Sequence, residues 1–279
     1  MKYWRLLVLA LALTILVSAC KKQTQDNPKD GKTAGATAVK VAVIPKGTTH
    51  IFWKSIHAGA EKAGRETGAD VIWQGPQKED DREQQIQVVE NFISRGVDAI
   101  VLAPLDDVAL AAAVENAAAA GIKVVVIDSG LQSDKFESFV ATDNKEGGRK
   151  AARRLADLLD GKGKVMMMRY AQGSASTENR EQGFLDGMKE YAPECELVST
   201  DQYGGATRES AMQTAQNLLN KYKDLDGIFC PNESTTFGML RALQQADRAG
   251  KIKFVGFDST PELLAALEQD EIHGLTVQD

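Results

Sequence analysis

The chain reads as an α/β protein made of two doubly wound parallel-sheet lobes joined by a hinge. Three observations carry this reading. From Lys40 onward, short β-branched apolar runs alternate with amphipathic stretches; glycines punctuate the ends of those stretches; and the rhythm restarts after Gly161-Lys162-Gly163. Continuous apolar strands alternating with helices indicate a parallel sheet covered by helices on both faces.

In the first half, strands are expected at 41–44, 70–73, 99–102, 124–127 and 139–141, with helices near 51–67, 80–95, 107–120 and 144–160. Helix 51–67 carries an apolar stripe of Phe52, Ile56, Gly59, Ala60 and Ala63. In helix 80–95, Ile86, Val89 and Ile93, with Val88 and Phe92, mark one face at spacings of three and four. Gly68, Gly96 and Gly121 each follow a helix, where a left-handed C-cap is expected. In the second half, strands are expected at 164–169, 197–200, 227–229, 254–256 and 275–277. Helices alternate with them near 177–191, 207–222, 234–247 and 260–269. The lobes are divided as 40–142 and 143–279. Because Gln278-Asp279 directly follows a strand, a further segment is expected beyond the end of this sequence.

Residues 1–19 read as an export signal. Lys2 and Arg5 precede an apolar run from Leu6 to Val17, followed by Ser18-Ala19-Cys20. That run is short of the roughly 20 apolar residues a transmembrane helix needs. Val17-Ser18-Ala19-Cys20 resembles a bacterial lipobox, which implies a signal peptide removed before a lipidated Cys20. Residues 20–39 then form a flexible tether, since they hold almost no large apolar side chain. The protein is expected to be exported, at the periplasm or cell surface, and anchored to the membrane through Cys20.

Composition narrows the function. Lys and Arg total 33 against 39 Asp and Glu, a net charge of -6, and an acidic chain without a basic block is a poor nucleic-acid binder. Cysteines at 20, 195 and 230 make neither a disulfide framework nor a Cys-rich zinc site. Cys195 and Cys230 fall at opposite ends of parallel strands and are expected to be free. His50 and His57 have no metal-binding partner at ligand spacing. Gly161–Lys164 lacks the spacing of a phosphate loop and reads as a turn. Ser174 and Ser176 fall in an expected loop without a nucleophile elbow around them. The run Lys78–Glu83 reads as the solvated acidic start of a helix, and Met166–Met168 as a buried strand.

In open parallel sheets, ligands bind beyond the carboxyl ends of the strands. Those ends carry Lys46, His50, Gln74, Asp106, Asp107, Asp128, Asp143, Asn144, Tyr170, Asn232, Asp258 and Gln278. Asp and Asn also cap helices at such turns, but both lobes show the pattern, which favours a shared inter-lobe cleft. Trp53, at a helix start, suits either stacking on the apolar face of a sugar ring or sealing the core rim. Carboxylates, amides and an arginine hold sugar hydroxyls without a metal or a nucleophile. No cofactor and no catalytic residue is expected.

The stretches HIFWKSIHAGAEKAG, ISRGVDAIVLAP, GIKVVVIDS, VATDNKEGGRKAA, TENREQGFLDGM, IFCPNESTTFGMLRALQQA and KFVGFDSTPE resemble the type I periplasmic sugar-binding proteins, especially the ribose-binding group of ABC importers. The resemblance implies ligand-binding roles for His50, Phe52, Trp53, Asp128, Arg180, Asn232, Asp258 and Gln278. Phe52 and Trp53 would stack on the ring, and the other side chains from Asp128 onward would hold hydroxyls and ring oxygen. It further implies a monomer that captures a monosaccharide or polyol and delivers it to an ABC permease. The alternative within the same fold is a receptor subunit presenting a ligand to a sensor kinase or chemoreceptor. A repressor-type effector domain conflicts with the export signal, and a glycosidase would need Asp128 and Asp258 as its acid and base. The ribose binders carry Asn at the places of His50 and Ala103, Arg at Ser129 and Phe near Ala206. A roomier, less cationic pocket is therefore expected, with Tyr170 or Tyr203 replacing the lost aromatic.

Overall fold

A computed structural model describes residues 38–278; the expected signal, Cys20 and most of the tether lie outside the described residues. Two five-stranded parallel sheets form the two lobes. The first contains β1 (Lys40–Ile44), β2 (Asp70–Trp73), β3 (Ala99–Leu102), β4 (Lys123–Ile127) and β5 (Ser138–Val140), in the order β2-β1-β3-β4-β5. The second contains β6 (Lys162–Arg169), β7 (Glu194–Tyr203), β8 (Gly227–Phe229), β9 (Lys253–Phe257) and β10 (Gly274–Thr276), in the order β10-β9-β8-β6-β7. Read from the second strand of each lobe, the two orders are the same, so the restart seen in the sequence is a repeated topology.

Eight helices connect the strands: α1 (Ile51–Thr67), α2 (Arg82–Arg95), α3 (Ala111–Ala119), α4 (Asn144–Leu158), α5 (Ala175–Tyr191), α6 (Arg208–Lys221), α7 (Glu233–Gln245) and α8 (Pro261–Glu268). Gly68, Gly96 and Gly121 all have positive φ, as their place after a helix requires. At three of the boundaries that moved, local geometry explains the shift. Asp81 Oδ1 accepts from Gln84 N at 2.8 Å, so α2 starts at Arg82 and residues 78–80 stay outside the helix. Asp106 Oδ1 accepts from Val108 N and Ala109 N, which folds 106–110 into turns and delays α3 to Ala111. Asp160 and Gly161 take positive φ and end α4 two residues early. β6 begins at Lys162, so the turn expected over 161–164 is confined to its first residue.

Both faces of the second sheet are covered. Met166, Met168, Ile228 and Phe254 pack with residues of α6, α7 and α8, while Val165, Met167, Phe229 and Val255 pack with α4 and α5. The first sheet is covered less evenly than expected. Ala42, Ile44, Ile100, Leu102, Val124 and Val126 form one core with α2 and α3, whereas Val41, Val101 and Val125 on the other face are half-buried and Phe139 and Val140 of β5 are exposed. α1 lies on that less covered side, with Gly64 against Val71. Its expected core stripe is offset by one residue: Trp53 and Gly64 are buried, Phe52 and Ile56 half-buried, and Gly59 and Ala63 exposed. Cys195 and Cys230 are both free.

Candidate functional site

Strands β1, β4, β6, β8 and β9 all point their carboxyl ends at the space between the lobes. The eight residues expected at a ligand site, His50, Phe52, Trp53, Asp128, Arg180, Asn232, Asp258 and Gln278, all border one small void there, of about 30 Å³. A larger cavity of about 470 Å³ shares Phe52, Trp53, Asp128, Asp258 and Gln278 with it. Asp128 and Asp258 occupy matching places, each just beyond the fourth strand of its lobe. Each has a left-handed backbone, φ 62° and φ 68°. Aspartate tolerates that region better than most residues, and strained backbone of this kind collects at functional sites.

Lys46, which follows β1, is buried at the centre of the seam. Its Nζ lies 3.0 Å from Asp128 Oδ2 in its own lobe and donates to Ser176 Oγ at 3.0 Å and Ser174 Oγ at 3.3 Å in the other. The serines expected in a loop are instead the N-cap and second residue of α5. Ser176 N donates in turn to Ser129 Oγ at 3.0 Å, so Ser129 contributes to the contact between lobes.

Glu79 departs furthest from the sequence reading. Expected on a solvated helix start, it lies just before α2 and turns into the cleft. It accepts from Trp53 Nε1 at 2.6 Å, from the Tyr170 hydroxyl at 2.8 Å, and sits 3.1 Å from His50 Nδ1. Burial alone would push its carboxyl up, but the hydrogen bond and charge of His50, the charge of Lys46 and the Tyr170 hydroxyl together hold it below its ordinary range. The same pair acts on His50. Burial pulls the imidazole down, yet the bond to Glu79 and the charges of Glu79 and Glu233 outweigh burial and the opposing Arg208, leaving the pKa raised. The Tyr170 hydroxyl is pushed well up by burial and then by Glu79.

On the second lobe, Arg180 is 2% exposed. Its Nε donates to Asn144 Oδ1 at 2.8 Å and its Nη1 to Pro231 O at 3.0 Å, with the guanidinium 4.0 Å from the Phe257 ring centroid. Asp258 accepts from Gln278 Nε2 at 2.6 Å and Glu233 N at 2.9 Å, and Arg180 Nη1 stands 3.9 Å away. Burial nevertheless leaves the Asp258 carboxyl raised. Asn232 is the residue for which capping accounts best, because its Oδ1 accepts from Thr235 N and Thr235 Oγ1 at the start of α7. Phe52 and Trp53 meet edge to face, ring centroids 4.9 Å apart.

Sequence reasoning missed Glu79, Glu233 and Thr177 as cleft residues. Lys46, Glu79 and Tyr170 border the void as well, and Lys46 adds a cation to its lining. Tyr170 lines the void; Tyr203 lies outside it, under the Arg169 guanidinium at 4.8 Å. The charges pair locally: Lys46 with Asp128, Arg208 with Glu233, His50 with Glu79, and Arg180 facing Asp258. Such a wall offers many fixed donors and acceptors with little net charge, which suits a neutral, hydroxyl-rich ligand. Among the described residues, no group of three or more His, Cys, Asp or Glu is placed to hold a metal ion. Nor is any helix there long and apolar enough to cross a membrane.

Residues 41–279 match the family described as periplasmic binding protein domain. The ribose import binding protein RbsB of Bacillus subtilis (strain 168) is 29% identical over 271 residues, covering 97% of this chain and 86% of that protein. A carbohydrate transporter solute binding protein from Agrobacterium radiobacter, solved with D-arabinose, superposes with a TM-score of 0.84 at 34% identity, over 87% of this chain and 83% of that one. An ABC transporter solute binding protein from Agrobacterium vitis with bound D-fucose gives a TM-score of 0.80 at 36% identity, over 84% and 81% of the two chains.

Proposed function

The chain belongs to the periplasmic binding protein domain family, and from that membership and the chemistry of its cleft we propose that it captures a monosaccharide or related polyol and delivers it to an ABC permease. The observation that carries the reading is the convergence of eight residues from both lobes on one void whose charges are paired within the protein. Phe52 and Trp53 present ring edges and faces to the apolar side of a sugar. Asp128, Arg180, Asn232, Asp258 and Gln278 supply acceptors and donors for its hydroxyls and ring oxygen. The relatives point the same way, since those named above are described as binding ribose, D-arabinose and D-fucose.

Side chains of the two lobes touch one another around the void, so a sugar enters when the lobes part and replaces some of those contacts when they close. The same reading takes the protein to act as a monomer. We extend the proposal to the N-terminal segment: export directed by residues 1–19 and a lipid on Cys20 would hold the domain near its permease. Replacing Cys20 by Ser is expected to move the protein from the membrane fraction to the soluble one; retention in the membrane fraction refutes the anchor.

The central test is thermal denaturation with D-ribose, D-arabinose, D-allose and D-fucose. A sugar present at 100 times its dissociation constant is expected to add about 2.7 kcal/mol. Asp128→Ala is expected to fold and to lose that shift. A panel without any shift, or an Asp128→Ala protein that binds as tightly as the parent, counts against the reading.

A further inference from the structure

Two buried side-chain oxygens lack a hydrogen-bond partner among the described residues: Ser199 Oγ, in β7, and Glu233 Oε2, which borders the cleft. Glu233 is the first residue of α7 and is only 3% exposed. Its position is held from two sides. Its backbone N–H donates to Asp258 Oδ2 at 2.9 Å, and its Oε1 accepts from Arg208, whose guanidinium sits 3.9 Å from the Phe237 ring centroid. Oε2 faces His50 across the lobes, but Nδ1 is 3.7 Å away and only 3.1 Å from Glu79. A buried carboxylate oxygen left without a donor is costly, and a cleft that closes on a ligand is where such a donor arrives.

We propose that Glu233 is a specificity-determining residue of this cleft, which reads one hydroxyl of a neutral sugar through Oε2 and rejects ligands that present a hydrogen or an acid there. The inference rests on the sugar-capture reading. The neighbours define the chemistry. A deoxy position leaves Oε2 orphaned in the closed cleft. A uronic acid or sugar phosphate brings an anion against Glu233, Glu79 and Asp258. A hydroxyl donates to Oε2 without adding charge.

The test takes whichever of D-ribose, D-arabinose, D-allose and D-fucose binds the full chain and titrates it calorimetrically, together with its monodeoxy analogues and its acid derivative, against wild type, Glu233→Ala and Glu233→Gln. In wild type, removal of one particular hydroxyl is expected to weaken binding by roughly tenfold or more. In Glu233→Ala the same removal is expected to matter by less than about threefold, because the partner it served is gone. Glu233→Gln keeps the side-chain shape and the bond to Arg208 while placing an amide NH₂ at the Oε2 position. The hydroxyl must then accept from a neutral donor in place of donating to a charged acceptor, so the ratio is expected to fall to the few-fold worth of a neutral hydrogen bond even if the alanine variant does not fold. The acid derivative is expected to bind wild type more weakly than the parent sugar. Discrimination at every ring position that survives both substitutions overturns the inference while leaving sugar capture intact. Absence of binding by all four sugars overturns sugar capture and the inference with it.

Discussion

His50 meets charge from three elements at once: Glu79 before α2, Glu233 at the start of α7 and Arg208 at the start of α6. Its pKa in the folded protein is raised above the ordinary 6.5. A raised histidine adds stability that is fully present below the unfolded value and is lost as pH rises through the folded one. The melting temperature of wild type should therefore exceed that of His50→Gln by more at pH 6 than at pH 8.5, with each kcal/mol worth about 2–4 °C in a protein near this size. A gap that is constant or widens with pH removes the ionic role of His50. The same cluster shows what single residues conceal. His50, Asp128, Asp258 and Gln278 were legible because each follows a strand. Glu79 sits in Lys78–Glu83, where every neighbour is polar and the run reads as solvated surface. Its burial depends on three donors, Trp53, His50 and Tyr170, the last of them more than ninety positions along the chain in the other lobe.

At the scale of elements, the placement of Arg180 depends on how closely α4 and α5 cross. A Cβ added at Gly148 would lie 2.0 Å from Arg180 O, and one added at Gly183 would lie 2.0 Å from Lys145 O. Glycine on both helices thus lets the backbones touch, and that contact sets the reach from Arg180 Nε to Asn144 Oδ1. Gly183→Ala forces the helices apart and is expected to cost about 1–3 kcal/mol by overpacking, with weaker sugar binding because Arg180 moves. Gly59→Ala is the contrast. Gly59 is exposed within α1 with nothing within 4 Å of an added Cβ, so it should stabilise by roughly 0.5–1 kcal/mol. Equal melting temperatures for Gly183→Ala and wild type would remove the crossing argument. Strand and helix order were readable from periodicity, yet the crossing was not, because a glycine in a helical stretch signals only a weak helix former. α1 adds a second lesson. Its period marks an amphipathic helix correctly, but the buried side is chosen one residue away from the apolar stripe, by the Trp53 indole bonding to Glu79.

Across the whole molecule, one short segment does much of the joining. From the end of β6 to the first turn of α5, Tyr170 reaches Glu79, the Gln172 carbonyl accepts from Arg82 Nη2, the Gly173 carbonyl accepts from Asp107 N, and Ser174 and Ser176 accept from Lys46. These contacts favour the closed arrangement without any ligand atom taking part. Apparent ligand affinity in a two-state protein scales with the fraction that is closed, so weakening the seam should weaken binding from a distance. Ser129→Ala tests this, because Ser129 Oγ accepts from Ser176 N at 3.0 Å and Ser129 does not border the void. Loss of that bond is worth about 1 kcal/mol, or about fivefold in the ratio of closed to open protein. Small-angle scattering of the ligand-free variant should give a larger radius of gyration than wild type, the two should converge once sugar is saturating, and the dissociation constant should rise by up to that same factor. A radius that grows with no change in affinity would mean that closure and binding are separate events in this protein. An unchanged radius and affinity together would mean that the seam between β6 and α5 follows closure and does not drive it.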